Sequence, residues 1–185
     1  MYLENEKYSI DISMDDTYTL ESADNPFSYK VVFNPDNYRK NDFYKVMSVK
    51  VNDGINETNF AVIGDGVFTY PYSCAVLNGD ILTLLLNEYL MFIDISNFTM
   101  KEYRNIGFDC NFSIDPCKYG YLIYGELSIL FLDFDFNVKW HFSGCDIFVS
   151  CSGKIPFAFD DQKIMLYDWC DNYYELDYDG NLLNR

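Results

Sequence analysis

Leu132-Asp133-Phe134-Asp135-Phe136-Asn137-Val138 and Leu176-Asp177-Tyr178-Asp179-Gly180-Asn181-Leu182 are two copies of one pattern. An aliphatic residue followed by Asp closes an apolar stretch, and a short polar run leads into the next one. The pattern recurs at Ile93-Asp94-Ile95-Ser96 and Ile10-Asp11-Ile12-Ser13, with a weaker copy at Val51-Asn52-Asp53-Gly54. Its spacing is roughly forty residues, a range in which one supersecondary unit repeats along a chain. Asp, Asn and Gly tolerate positive φ and bond their own backbone, so these acids are expected to end strands and open hairpins. The spacing Asp133, Asp135, Asn137 also matches the opening of a calcium loop. Such a loop needs a bidentate Glu at its twelfth position, and from Asp133 that position is Gly144. The turn reading is therefore preferred, and no metal or other cofactor is expected.

Working outward, the periodicity is that of strands. Residues 44–51, Tyr-Lys-Val-Met-Ser-Val-Lys-Val, put apolar and polar side chains on opposite faces for most of their length. One unit reads as strands at 121–124, 128–134, 138–142 and 146–150, joined by tight turns into an antiparallel meander. The unit before it is expected at 80–86, 90–96, 99–104 and 110–114, and an earlier one at 29–34, 43–51, 58–64 and 67–74. After Lys163 the pattern restarts at 164–167 and 173–177, with a short strand at 181–183. Residues 8–13 and 17–20 read as the later strands of a further unit.

The strand that ends in Leu-Asp, turns, and re-enters through Val138-Lys139-Trp140-His141-Phe142 resembles the blade repeat of β-propellers. That resemblance implies a single all-β domain over 1–185, about four blades, with the two chain ends sharing one. Such closure removes exposed sheet edges. An open or two-layer antiparallel sandwich is the alternative.

Composition narrows the class. With 17 Tyr and 16 Phe among 185 residues, the chain favours half-buried pleated surfaces. The longest apolar run, Ile81-Leu82-Thr83-Leu84-Leu85-Leu86, is strand-sized, and no stretch reaches the length of a membrane-spanning helix. The opening Met1-Tyr2-Leu3-Glu4-Asn5-Glu6 lacks the basic start and apolar core of a secretory signal. A cytoplasmic location is the expectation, in which the triplets at Asn56, Asn97 and Asn111 carry no glycan. Cys74, Cys110, Cys117, Cys145, Cys151 and Cys170 show no paired C-x-x-C spacing and read as reduced, structural thiols.

A net charge of −16, from 29 acids against 13 bases, repels nucleic acid and anionic membranes and attracts basic partners. His141 is the only histidine, and no Gly-x-Ser-x-Gly elbow or phosphate loop is present. No catalytic residue is assigned, and paired carboxylates for glycoside hydrolysis cannot be located from sequence.

The segment from Phe159 onward carries the most distinctive surface signal. Asp160, Asp161, Asp168, Asp171, Glu175, Asp177 and Asp179 interleave with Tyr167, Trp169, Tyr173, Tyr174 and Tyr178, against Lys163 as the one base before Arg185. Trp and Tyr dominate binding hot spots, and carboxylates steer a basic partner into register. Asp160, Asp161, Asp168, Trp169, Asp171, Tyr174 and Glu175 are therefore the candidate partner-binding residues. A small, acidic, aromatic-rich chain of this kind is similar in character to the immunity proteins of bacterial polymorphic toxin systems. Low Ala and Arg usage beside abundant Asn, Asp, Ile and Tyr fits an AT-rich bacterial genome. The resemblance implies a basic toxin domain, often a nuclease, as partner, its cleft occluded by phosphate-like charge. A carbohydrate-binding or carbohydrate-processing β protein and a peptide-binding propeller scaffold are the alternatives.

Overall fold

The computed structural model describes residues 1–65, 73–108 and 110–184. Among these there is no helix, 48% of the chain is strand, and the fold is all-β. The chain forms two compact units, one from Met1 to Asn105 and one from Ile106 onward.

The first unit holds two sheets. β1 (Tyr2–Glu4), β2 (Ser9–Met14), β3 (Val32–Phe33), β4 (Lys45–Asn52) and β5 (Glu57–Gly64) form a five-stranded sheet in the order β1-β2-β4-β5-β3. Its pairs are antiparallel except β3 with β5, where Val32 pairs with Ala61 and Phe33 with Val62 in parallel. β6 (Ala75–Asn78), β7 (Ile81–Leu86), β8 (Tyr89–Asp94) and β9 (Thr99–Asn105) form a four-stranded meander. Strands buried on both faces read as continuous apolar runs, and β7 and β8 do so. The outermost β9 is almost wholly exposed, which suits its polar sequence Thr-Met-Lys-Glu-Tyr-Arg-Asn. Ile10, Val49, Phe60, Leu82, Leu84, Met91 and Ile93 pack in one core shared by the two sheets.

The second unit repeats the plan. β10 (Asn111–Cys117), β11 (Gly120–Gly125), β12 (Ile129–Leu132) and β13 (Val138–Phe142) form a second four-stranded meander, with β11 and β12 fully buried and β13 on the edge. Pro116 cannot donate to a ladder, and it sits on the edge strand β10, where that donor is dispensable. Gly120 starts β11 because a Cβ there would lie 2.0 Å from the Leu132 carbonyl oxygen. β14 (Phe157–Phe159), β15 (Ile164–Tyr167) and β16 (Tyr173–Leu176) form a three-stranded sheet. Its β16 edge is capped by the last residues described. Leu183 donates its N–H to the Glu175 carbonyl at 2.7 Å. The Asn184 side chain accepts from the Glu175 N–H at 2.6 Å and donates to the Tyr173 carbonyl at 2.7 Å.

Several expected strands differ from those observed. The strand anticipated at 110–114 opens the 111–142 sheet instead of closing the previous one, so the units are shifted by one strand. Residues 146–150 form no strand: the Phe148 N–H bonds the Glu126 carbonyl, and the Phe148 carbonyl accepts from the Tyr124 hydroxyl. The segment is thus held by a hairpin turn and a side chain, with the Phe148 ring fully buried. Residues 17–20 are not a strand either, and β2 pairs with β1 and β4 in the first sheet. The N-terminal strands therefore do not complete the C-terminal sheet. The expected strand at 67–74 lies mostly outside the described residues.

The Asp pattern does what its chemistry predicts. The Asp133 carboxylate accepts from the N–H groups of Asp135 at 3.0 Å and Asn137 at 2.9 Å, closing the β12–β13 turn. Asp177 accepts from Asp179 at 3.0 Å and Asn181 at 2.8 Å. Asp53 closes the β4–β5 turn through Ile55 and Asn56, and Asp94 the β8–β9 turn through Ser96. These bonds favour the charged form. Hydrogen bonds from the Ser96 hydroxyl and from Lys101 bring Asp94 down to about 2. Asn137 holds Asp133 below its ordinary value, as Asn181 does Asp177.

Groups with depressed folded values contribute stability above their unfolded pKa and lose it as pH falls through the folded one. Urea titrations are therefore expected to show a midpoint that is steady above about pH 4 and falls steeply from there to about pH 2. A second expectation concerns Thr83, buried in the middle of β7, whose hydroxyl has no hydrogen-bond partner among the described residues. Thr83→Val removes an unsatisfied polar group at constant shape and is expected to stabilise the fold by about 1 kcal/mol in the same assay.

Candidate functional site

The seven candidate residues lie on the three-stranded sheet and its two turns, and the structure divides them into two sets. Asp168 belongs to the interior. It follows β15 and opens the turn to β16, its side chain fully buried at 0% exposure. The carboxylate accepts from the Asn172 backbone N–H at 2.9 Å, the Asn172 side-chain amide at 2.9 Å and the Tyr174 hydroxyl at 2.7 Å. Burial alone would raise its pKa, but the bonds from Asn172 and Tyr174 outweigh this and hold it below the ordinary carboxylate value. Asp168 and Asn172 are a third copy of the Asp-x-x-x-Asn turn seen at Asp133/Asn137 and Asp177/Asn181. In each copy the Asp N–H bonds the Asn carbonyl at 3.0–3.1 Å. The residue before the Asn takes positive φ: Phe136 at 60°, Asp171 at 65°, Gly180 at 84°.

Tyr174 faces inward on β16, against the rings of Phe142 and Phe148. Besides donating to Asp168, its hydroxyl accepts the Cys145 N–H at 2.9 Å, which ties the 143–150 segment to the sheet. Burial pushes its pKa upward. Glu175 points to the other face, half-buried, bonded to the Lys163 ammonium and to the Tyr173 hydroxyl at 2.6 Å. Those partners lower its pKa, Lys163 first. These three side chains hold the sheet together and present little free charge.

The other four reach solvent. Trp169 is 47% exposed, its N–H bonded to the Ile147 carbonyl at 2.8 Å. Asp171 is exposed beside it, with the Ser152 hydroxyl at 2.7 Å and Lys154 at 3.4 Å, and these keep its pKa low. Asp160 and Asp161 form the tip of the β14–β15 hairpin. One Asp160 oxygen accepts the N–H groups of Gln162 at 2.8 Å and Lys163 at 3.0 Å, and these two bonds depress its pKa. Asp161 is exposed and has no hydrogen-bond or ion-pair partner among the described residues.

Asp160 and Asp161 also border a groove of about 410 Å³ whose other lining residues are Pro116, Cys117, Lys118, Phe159 and Tyr178. Pro116 to Lys118 come from the β10–β11 hairpin, so the groove joins two turns distant in sequence. Tyr178 is its fixed wall. Its ring packs on Tyr119 and Phe131, its hydroxyl donates to the Asp160 carbonyl at 2.6 Å, and its own carbonyl accepts the Trp140 indole N–H at 3.0 Å. Gly180 permits this: a Cβ there would come within 2.9 Å of the Trp140 ring. Burial first, then Cys117 (a thiolate only at the high pH where Tyr178 titrates) and the charges of Asp160 and Asp161, push the Tyr178 hydroxyl up to about 12. Sequence reasoning had Tyr178 among the aromatics of the segment but gave no sign of Lys118 or Pro116 beside it.

Elsewhere the structure offers less. A groove of about 440 Å³ in the first unit is lined by polar side chains together with Tyr8, Val51, Ile95 and Phe98, but Lys30 already covers the Phe98 ring at 4.2 Å. His141 is exposed against Phe108 on the edge strand β13. All six cysteines are free thiols; Cys74 is buried, whereas Cys145, Cys151 and Cys170 are exposed and are not part of the apolar interior. Among the described residues no group of three or more His, Cys, Asp or Glu side chains is placed to hold a metal ion, and no helix is long and apolar enough to cross a membrane.

Two substitutions separate the interior set from the exposed one. Asp168→Ala leaves the Asn172 backbone and side-chain N–H groups and the Tyr174 hydroxyl without their acceptor and is expected to cost about 2 kcal/mol by chemical denaturation. Asp161→Asn is expected to stay within about 0.5 kcal/mol of the parent. No protein-family model matches the chain, and no curated protein matches it.

Proposed function

We propose that this protein is an acidic binding module that neutralises a basic partner protein, most simply as a cytoplasmic bacterial immunity protein against a toxin domain. The single observation that supports it is the disposition of acids on the C-terminal sheet. Asp171 stands in solvent beside the half-exposed Trp169 in the β15–β16 turn, and Asp160 and Asp161 stand in solvent at the opposite end of the sheet, in the β14–β15 turn, on a chain whose net charge is −16. Exposed carboxylates at both ends of the sheet, with an exposed aromatic ring at one of them, suit a basic protein, the acids raising the encounter rate and the ring supplying contact area. Asp168, Tyr174 and Glu175 serve the same surface at one remove, by fixing the sheet and turns that present it. In this reading the four sheets are blade-like copies of one repeat. The recurrence of the Asp-closed turn at Asp94, Asp133 and Asp177 supports that.

The occluded cleft would be one that ordinarily takes a phosphate-rich substrate, since ordered carboxylates imitate that charge. The test is co-expression with a toxin domain encoded beside this chain, followed by binding titrations at rising ionic strength. The expected result is a complex in which the toxin is inactive and whose affinity falls by about tenfold or more between about 0.05 and 0.5 M salt. No complex, or one indifferent to salt, overturns the proposal.

A further inference from the structure

The groove between the β10–β11 and β14–β15 turns has a shape and chemistry that go beyond a diffuse acidic surface. Its volume lies at the lower end of the range for small-molecule sites, about 300–1,000 Å³. Two of its walls are aromatic, Tyr178 and Phe159, and its rim carries Asp160 and Asp161 side by side. Asp160 has one oxygen committed to its own turn, and Asp161 has neither oxygen committed among the described residues. A compact ammonium can sit over a ring but meets the carboxylates only as a point charge. A planar guanidinium uses both, stacking on an aromatic face while its N–H fork meets carboxylate oxygens.

We infer that this groove receives one arginine side chain of a basic partner, its guanidinium against Tyr178 and paired with Asp161 and the open oxygen of Asp160. This rests on the proposed function and names the contact that would anchor it. The wall is prepared in advance, since Tyr178 is held at its ring, its hydroxyl and its carbonyl, so an arriving side chain orders little that was free. Lys118 is the one cation on the groove. It folds away over the Tyr119 ring, with 5.2 Å between its ammonium and the ring centre. Its charge opposes an incoming guanidinium, so its removal should help binding.

The probe is N-acetyl-arginine amide, titrated into the isotope-labelled protein and followed by amide chemical shifts, with N-acetyl-lysine amide in parallel. The expected result is millimolar binding with shifts confined to residues 116–119, 159–163 and 178, and weaker binding of the lysine compound. Asp161→Asn should weaken arginine binding by about fivefold or more and Lys118→Gln should strengthen it by about threefold. Asp179→Asn, an exposed acid of the same segment outside the groove, should leave it within twofold. Shifts spread over acidic residues generally, or equal losses from Asp161→Asn and Asp179→Asn, overturn the inference. The two proposals fail separately. A salt-sensitive toxin complex that Asp161→Asn leaves intact removes the groove and spares the function, whereas arginine binding at the groove without any toxin complex does the reverse.

Discussion

A carboxylate at the end of a strand, accepting the N–H groups of the next few residues, is the constraint on which this structure rests. A hairpin must satisfy donors that the ladder no longer reaches, and an ionised Asp does so with charge-assisted bonds. In this chain the device appears at Asp53, Asp94, Asp133, Asp160, Asp168 and Asp177. Much of the acidity is therefore architectural. The chain carries that charge because its turns require it, and repulsion among the acids is tolerated because each is held in place by donors.

That division between bound and unbound acids changes how the surface is read. Net charge alone treats every carboxylate as equally available. The turn-forming acids have oxygens already engaged, and Asp168 and Glu175 have little solvent contact. What remains for a partner is a smaller and more ordered set, at the two ends of the C-terminal sheet: Trp169 with Asp171 at one, the Asp160–Asp161 tip at the other. Binding energy at interfaces is localised in this way, in a few anchors amid contacts of lesser weight.

Local periodicity made the strands legible. The stretch Val138-Lys139-Trp140-His141-Phe142 is a strand over those residues, and the run from Ile81 to Leu86 is a buried one. Phase was less legible. The tight turn at Cys117-Lys118-Tyr119-Gly120 lies between the expected strands at 110–114 and 121–124, which the repeat pattern places in different units, whereas it is a hairpin within one sheet. Burial of Asp168 was also hidden, because Tyr167-Asp168-Trp169 reads as an exposed aromatic-acidic run. The signal was present nonetheless: Asp168 and Asn172 repeat the spacing of Asp133 and Asn137. The groove could not be read at all, since it depends on the packing of the Tyr178 ring against Tyr119 and Phe131, contacts across roughly fifty to sixty residues of chain that no local pattern encodes.

The Asn184 amide on the β16 edge has one more consequence. An open edge offers alternating donors and acceptors on which a foreign strand can add, and then another upon that. A side-chain amide supplies one acceptor and one donor with the geometry of a peptide group, but it has no backbone beyond it to pass the pattern on. It terminates the ladder as a chain stopper terminates a polymer. Together with the backbone bridge of Leu182 to Leu176 and the Leu183 N–H on Glu175, it closes that edge to templated growth.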